Sequence, residues 1–528
     1  MDDAPTRALA SPLPLWQHAA WRPDQPALLT ADQAWTFAGL AAEADRWAAT
    51  LAALGMKRGA VLGTWLDPSV DAVLAMQAAW RVGAAVCPFN TRLSRAEFQD
   101  QCGRVRPRLV LARPGGPAAE DLKPRSAPEL ASAFATPWFT GLVPVYPPMT
   151  ESARLADGLV TSAGVGPTND DPAALLFTSG STGRPKAVVL THGAMQAHAA
   201  ASALRLGCLP DDLWLAPLPL FHVGGLAVVV RCALAGTTMA LSPSGRTQDI
   251  AAALDRWPVT VVSLVPTQLR LLLAAWPGSA PRSLRAVLLG GSAIEPDLLR
   301  QARERGWPIA ATYGLTEAGS QVATGWPTAD PEAREGGWAP PLAFTRLEVR
   351  DQRGQALPAN REGEIWVRGP GLMRGYFDDP VATATVLVDG WLRTGDLGML
   401  DDAGRLRLVA RREDLIVSGG ENVYPAEVEA VLREHPALVD ACVVGMPDAH
   451  WGEVVCAAIV PSASEDGTTP ILDAQAWLTT LDAWLRERLA GYKRPRHYLT
   501  LPELPRTASG KVTRRAVKLA FAKAAARR

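Results

Sequence analysis

The sequence predicts an α/β protein: a large N-terminal domain of mainly parallel sheets flanked by helices, a small antiparallel unit behind it, and a separate α+β domain at the C-terminus. Three observations carry this. Short apolar runs alternate with helical-period segments through residues 36–312, the pattern of parallel strands linked by helices. From about residue 344 the texture changes to short strands broken by turns, as antiparallel sheets require. A charged stretch, Ala410-Arg411-Arg412-Glu413-Asp414, then separates this body from a last region with its own mix of helix and strand. The 528 residues also exceed one hydrophobic core at roughly 150 residues per domain.

In chain order, residues 36–56 read as a helix closed by Gly55, and residues 60–66 as a strand. Residues 69–82 carry apolar side chains at helical spacing, with Gly83 as C-cap. Strands follow at 84–89 and 109–112. Residues 113–170, rich in Pro, Gly, Ala and Ser, read mostly as a surface excursion. Residues 173–177 are a short apolar run that reads as a buried strand. Thr191 can cap a helix running to Gly207. Strands at 213–217, 237–241, 259–265 and 284–289 alternate with helices at 225–234, 267–276 and 295–305, and 308–312 leads into Tyr313-Gly314. Later strands are expected at 347–350, 364–367 and 405–409. The final domain takes a helix at 425–434, strands at 439–445 and 453–460, a helix at 475–489 and a strand at 497–501. The basic tail reads as a solvated helix face.

Composition narrows the function. Apolar residues make up 48% and charged residues 20%, with a formal net charge of zero, so no global field favours nucleic acid or a membrane surface. The six cysteines, Cys87, Cys102, Cys208, Cys232, Cys442 and Cys456, are scattered without a CxxC pair. That pattern argues against zinc and disulfides and fits a reducing, cytoplasmic setting. The start, Met1-Asp2-Asp3-Ala4, lacks a basic region followed by an apolar run, so no signal peptide is expected. Residues 213–230 come closest to a membrane span, but Pro217, Pro219, His222 and two glycines interrupt them and Arg231 follows. The oligomeric state stays open, a homodimer being one option.

Several motifs carry chemistry. Thr178-Ser179-Gly180-Ser181-Thr182-Gly183-Arg184-Pro185-Lys186 follows the strand at 173–177. Hydroxyls, backbone N–H groups and a lysine suit a polyphosphate, although a flexible surface turn has the same composition. The spacing is not that of a Walker loop. Phe221-His222-Val223-Gly224-Gly225 follows two prolines; its histidine can serve a site or simply cap a helix. Gly290-Gly291 ends a strand, either as a tight turn or to let a planar ligand approach. Tyr313-Gly314-Leu315-Thr316-Glu317 offers an aromatic ring for a base, a hydroxyl for a phosphate and a carboxylate for Mg²⁺. Asp396, in Gly395-Asp396-Leu397, suits a ribose or a plain turn. Lys511, in Thr507-Ala508-Ser509-Gly510-Lys511, precedes the basic tail and on its own reads as a solubility feature.

Taken together, these motifs resemble the adenylate-forming superfamily of acyl-CoA synthetases, peptide-synthetase adenylation domains and luciferases, over about residues 10–520. The resemblance implies an AMP-binding domain over 1–411 with a barrel-like subdomain, and a mobile domain over 412–528 hinged at Glu413. It implies ATP, Mg²⁺ and coenzyme A as the small molecules, and a carboxylic acid as the substrate. By resemblance the loop Thr178, Ser179, Gly180, Ser181, Thr182, Gly183 and Lys186 holds phosphates, and Glu317 with Thr178 holds Mg²⁺. Gly290 and Gly291 line the adenine and acyl pocket, Tyr313 stacks on adenine, Thr316 meets the α-phosphate, and Asp396 with Arg411 holds the ribose. Lys511 bridges carboxylate and α-phosphate. Gly419 and Gly420 line the thiol tunnel, while Trp451, Tyr492, Arg494 and Arg496 grip coenzyme A. His222 gates the carboxylate pocket; amino-acid-activating relatives have Phe-Asp there, so Phe221-His222 points to an acyl or aryl acid.

Leu315-Thr316-Glu317-Ala318-Gly319-Ser320-Gln321 and Ser418-Gly419-Gly420-Glu421-Asn422-Val423-Tyr424-Pro425 are most similar to the succinylbenzoate–CoA ligases of menaquinone synthesis, and the first also to 4-chlorobenzoate–CoA ligases. Two departures stand out, Ala187 and Ala410, where the superfamily has Gly. Fatty-acid ligases and a silent nucleotide-binding paralogue are the competing readings.

Overall fold

The computed structural model describes residues 13–113, 143–145, 166–178, 185–291, 294, 296–328, 338–410, 416–462, 474–505 and 512–525. The described residues divide into two compact units. Segments 1–91, 102–177 and 187–409 make up the first, and 92–101, 178–186 and 410–528 the second.

The first unit holds three sheets. In a seven-stranded sheet, strands lie in the order Gly375–Tyr376, Lys186–Thr191, Pro172–Thr178, Ala85–Pro88, Val61–Trp65, Leu109–Ala112 and Val143–Val145. Its centre is parallel, with Leu62 paired to Val86 on one side and Leu109 on the other. Val61–Trp65 is buried at every position, as expected of a strand covered on both faces. The eight-stranded sheet runs Ser320–Thr324, Ile309–Leu315, Ala286–Leu289, Val261–Leu264, Leu213–Ala216, Thr238–Leu241, Pro26–Leu29 and Ala34–Thr36. It is parallel through its middle and closes with an antiparallel strand at each end. The third sheet joins Arg346–Arg350, Gly363–Arg368, Trp391–Leu400 and Leu387–Val388 in antiparallel order, with Leu406–Ala410 on Trp391–Leu400.

Helices form where the chain supplies a cap and an apolar stripe. Thr36 accepts the Gly39 N–H and opens helix Phe37–Ala53, which buries Leu40, Ala44, Trp47 and Leu51 at helical spacing. Ser69 does the same for Val70–Arg81, and Thr191 for His192–Leu206. One apolar core joins the seven- and eight-stranded sheets, and a second lies under Ile250, Leu269 and Trp307. Each large side chain fully buried in this way stabilises the fold by roughly 1.5–3 kcal/mol.

The second unit carries a five-stranded sheet in which Glu421–Val423, Ile416–Ser418, Gly452–Pro461 and Leu438–Asp448 are antiparallel neighbours and His497–Thr500 runs parallel to Gly452–Pro461. Helices Pro425–Arg433, Ala474–Arg486 and Arg514–Ala525 accompany it.

Two expectations change. The excursion at 113–170 contains strand Val143–Val145, which pairs antiparallel with Leu109–Ala112; its Val-Pro-Val sequence is too short to show a period. The basic tail is not only a solvated face: Val517 and Phe521 are buried and Arg514 donates to Glu429 Oε1 at 2.8 Å. Among the described residues no helix is long and apolar enough to cross a membrane.

Candidate nucleotide and acid site

Strand Ile309–Leu315 delivers the Tyr313 motif and ends in a short 3₁₀ turn, Thr316–Ala318. An added Cβ on Gly314 would overlap the Ser320 carbonyl, so only glycine lets the returning strand Ser320–Thr324 pass this closely. The turn throws Thr316 and Glu317 outward, both half-buried. Tyr313 itself is 6% exposed, and its hydroxyl donates to Asp396 Oδ2 at 2.8 Å. Asp396 is steadied by its own N–H on Thr394 Oγ1, while Thr394 Oγ1 donates to the Ile365 carbonyl. The presumed base-stacking ring and ribose carboxylate are thus one hydrogen-bonded pair.

Glu317 is held twice by the segment after Gly371. Tyr376 donates its hydroxyl to Glu317 Oε1 at 3.0 Å, and the Met373 N–H donates to the Glu317 carbonyl at 2.8 Å. Gly375–Tyr376 is also the edge strand beside Val188 and Val189. Among the described residues no cluster of three or more His, Cys, Asp or Glu could chelate a metal. A single anchored carboxylate still fits Mg²⁺, which takes most of its oxygens from phosphates and water in nucleotide sites.

His222 precedes helix Val223–Ala235 and is half-buried, its ring tilted against Phe221 at 4.7 Å. One turn short of the end of that helix lies Arg231, 3% exposed. Its Nη2 donates to Ser320 Oγ at 3.3 Å, and its guanidinium sits 5.3 Å from the Trp214 ring centre. Its Nε and Nη1 are buried and have no hydrogen-bond partner among the described residues. Burial pulls its pKa down to about 9, so it remains a cation at neutral pH. Gly290 faces Thr312: an added Cβ would come within 2.6 Å of the Thr312 carbonyl. Its missing side chain therefore serves strand packing on that side, and Gly291 turns the chain at φ +90°.

The chain matches the AMP-binding enzyme family over residues 15–377 and the AMP-binding enzyme C-terminal domain over 427–511. It belongs to the AMP-binding enzymes. A 2-succinylbenzoate–CoA ligase of Bacillus licheniformis is 34% identical over 512 residues, covering 95% of this chain and 98% of that protein. A double mutant of the o-succinylbenzoate CoA synthetase of Bacillus subtilis, solved with the product analogue OSB-NCoA, matches with a TM-score of 0.82 at 34% identity, covering 97% and 98% of the two chains. The same Bacillus subtilis synthetase in complex with ATP and magnesium ion matches with a TM-score of 0.66 at 33% identity, covering 97% and 100%.

In this AMP-binding enzyme, Thr178 ends strand Pro172–Thr178 and donates to the carbonyl of Lys186, which opens the next strand, at 3.5 Å. Ser179, Gly180, Ser181, Thr182, Gly183, Arg411, Glu413 and Lys511 lie outside the described residues. In the second unit the Gly419 N–H donates to the Trp451 carbonyl at 2.8 Å, at the turn between Ile416–Ser418 and Glu421–Val423 that also holds Gly420. Arg496 lies 4.4 Å over the Trp451 ring, whereas Arg494 is paired with Asp482 at 3.2 Å and Tyr492 packs against the core of that unit. Lys493 between them is buried and bonds both Glu97 and Glu427. The expected coenzyme A set thus splits into a stacked pair, half-buried Trp451 and exposed Arg496, and residues tied into structure.

Sequence reading missed Arg231 and Tyr376. A lone charge in an otherwise apolar helix is a usable signal for the first. Nothing local distinguishes Tyr376, whose role depends on strand pairing far along the chain.

Proposed function

We propose that this AMP-binding enzyme is an ATP-dependent 2-succinylbenzoate–CoA ligase acting in the cytoplasm. The observation that carries the substrate is Arg231. A 2-succinylbenzoate molecule has two carboxylates. One is activated, and the other keeps its charge, which must be neutralised if it enters a dry pocket. A buried guanidinium with two unpartnered donors, beside the Tyr313–Ser320 turn and on the helix that follows His222, supplies that charge and a planar fork of donors. The names of the Bacillus relatives point the same way. Benzoates, fatty acids or a silent nucleotide-binding role would leave this cation without a counter-charge.

In this reading the acid attacks the α-phosphorus of ATP, giving acyl-AMP and pyrophosphate. The thiol of coenzyme A then displaces AMP. Lys186, Thr316 and Lys511 neutralise charge that builds on the phosphate during the first step. Mg²⁺ held at Glu317 and Thr178 offsets the charge of the polyphosphate. Asp396 and Arg411 hold the ribose, His222 guards the acid, and Gly419 and Gly420 line the thiol path. Lys511 serves the first step and Gly419–Gly420 the second, with the C-terminal domain turning about Glu413.

The test is a pyrophosphate-release screen with 2-succinylbenzoate, benzoate, 4-chlorobenzoate, fatty acids and amino acids, each with and without coenzyme A. Turnover is expected with 2-succinylbenzoate, and Arg231→Met should cut kcat/KM for it by roughly 10–100-fold, the worth of a hydrogen bond to a charged group. Turnover only with monocarboxylates, or an unchanged kcat/KM in Arg231→Met, defeats the reading.

A further inference from the structure

Beside Arg231 lies a histidine that the reaction scheme leaves unused. His198 sits on the buried face of helix His192–Leu206 and is 5% exposed. Its Nε2 accepts the backbone N–H of Gln321 at 2.8 Å. Gly319 and Gly371 lie against the same side chain; an added Cβ on either would meet His198 at ordinary contact distance, 3.7 and 3.6 Å. Between Gly319 and Gln321 stands Ser320, whose φ of +126° is a conformation that L side chains rarely adopt. Strain of this kind persists only where neighbours over-determine the backbone. Here Gln321 N–H is bound on one side, and Ser320 Oγ accepts from Arg231 on the other.

The imidazole can accept that N–H only while Nε2 keeps its lone pair, which places its single proton on Nδ1. Burial, and then the charge of Arg231, hold its pKa well below the ordinary histidine value, so this form is the one present at neutral pH. His198 thus binds the residue next to Ser320, and Ser320 accepts a hydrogen bond from Arg231.

We propose that His198 is a positioning residue for acid recognition: by holding the Gln321 amide it locks Ser320 in its strained turn, and Ser320 in turn sets the direction of the Arg231 fork. The proposal rests on the reading of Arg231 as the carboxylate-binding cation. It assigns His198 to acid binding and not to ATP binding.

The experiment compares full-length wild type, His198→Gln and His198→Leu by steady-state kinetics, varying 2-succinylbenzoate and ATP separately. The carboxamide oxygen of Gln can accept the Gln321 N–H, and Leu cannot. His198→Leu is expected to raise the KM for 2-succinylbenzoate about ten-fold, with the KM for ATP changed less than two-fold. His198→Gln is expected to stay close to wild type. If His198→Leu does not accumulate as folded protein, His198→Asn, polar but too short to reach the amide, takes its place. Equal losses for both substrates, or a Gln variant no better than Leu, overturn the proposal while leaving the ligase reading intact. A wild type that turns over no aryl acid overturns both, and is seen before any variant is assayed.

Discussion

The Tyr313 hydroxyl donates to Asp396 Oδ2 at 2.8 Å, joining a strand of the eight-stranded sheet to a strand of the small antiparallel sheet. The carboxylate that should grip ribose therefore takes its orientation from the ring that should meet adenine. Tyr313→Phe keeps the ring and loses that orientation. It is expected to raise the KM for ATP about ten-fold while leaving the KM for the acid unchanged, as read from initial rates. Asp396→Asn should weaken ATP binding further, because it removes the charge as well.

Glu317 and Tyr376 form a matching pair, and Glu317 is the proposed Mg²⁺ ligand. Groups that orient a metal ligand typically contribute 10–100-fold in metal affinity. Tyr376→Phe should raise the Mg²⁺ concentration giving half-maximal rate by roughly ten-fold, and Glu317→Gln by more. A Mg²⁺ titration at fixed ATP checks both, and an unchanged midpoint in Tyr376→Phe removes Glu317 from the metal.

The two chemical steps should separate at Lys511. Lys511→Ala is expected to abolish acyl-AMP formation from free acid and ATP, yet spare thioester formation from acyl-AMP supplied ready-made. Single-turnover assays of each half-reaction decide it; equal loss in both ends this division of labour.

Histidine protonation should set part of the acid sensitivity. His192 packs edge-on against Trp80, and its buried Nε2 has no hydrogen-bond partner among the described residues. Burial lowers its pKa from the ordinary value to about 4, with Asp171 opposing the shift. The folded state thus prefers the neutral ring. Stability from this preference is complete above about pH 6.5 and is lost progressively as pH falls towards 4. At pH 5 the loss is on the order of 2 kcal/mol. His192→Gln should flatten the fall in melting temperature between pH 7 and pH 5 in thermal scans. The slope that remains belongs in part to His198 and His435, whose pKa values burial also lowers.

The alternating body was legible because a strand covered on both faces is largely apolar, as Ala286–Leu289 is throughout and Val61–Trp65 is apart from Thr64. Helix Arg95–Val105 was not, since only Phe98, Gln101, Cys102 and Val105 are buried and the rest is mostly charged or polar. Helix Thr247–Arg256 did carry a signal, Ile250, Ala253 and Leu254 at helical spacing, and it was passed over. The strand Lys186–Thr191 was hidden by its attachment to the phosphate loop. Motifs supplied the candidate nucleotide residues, because that chemistry needs fixed groups at short spacing. The proposed acid-binding cation left no such trace: Arg231, Ser320 and His198 come together only through tertiary packing.

The Glu317 clasp has an evolutionary corollary. Glu317 follows a strand of one sheet; its carboxylate accepts from Tyr376 on the edge strand of another and its carbonyl from the Met373 N–H, so this corner tolerates little drift. The proposed acid-binding group instead rests on side chains of a helix and a strand, Arg231 and Ser320. Such a division lets a lineage exchange one carboxylic acid for another by a few replacements there, while the apparatus for spending ATP is inherited unaltered.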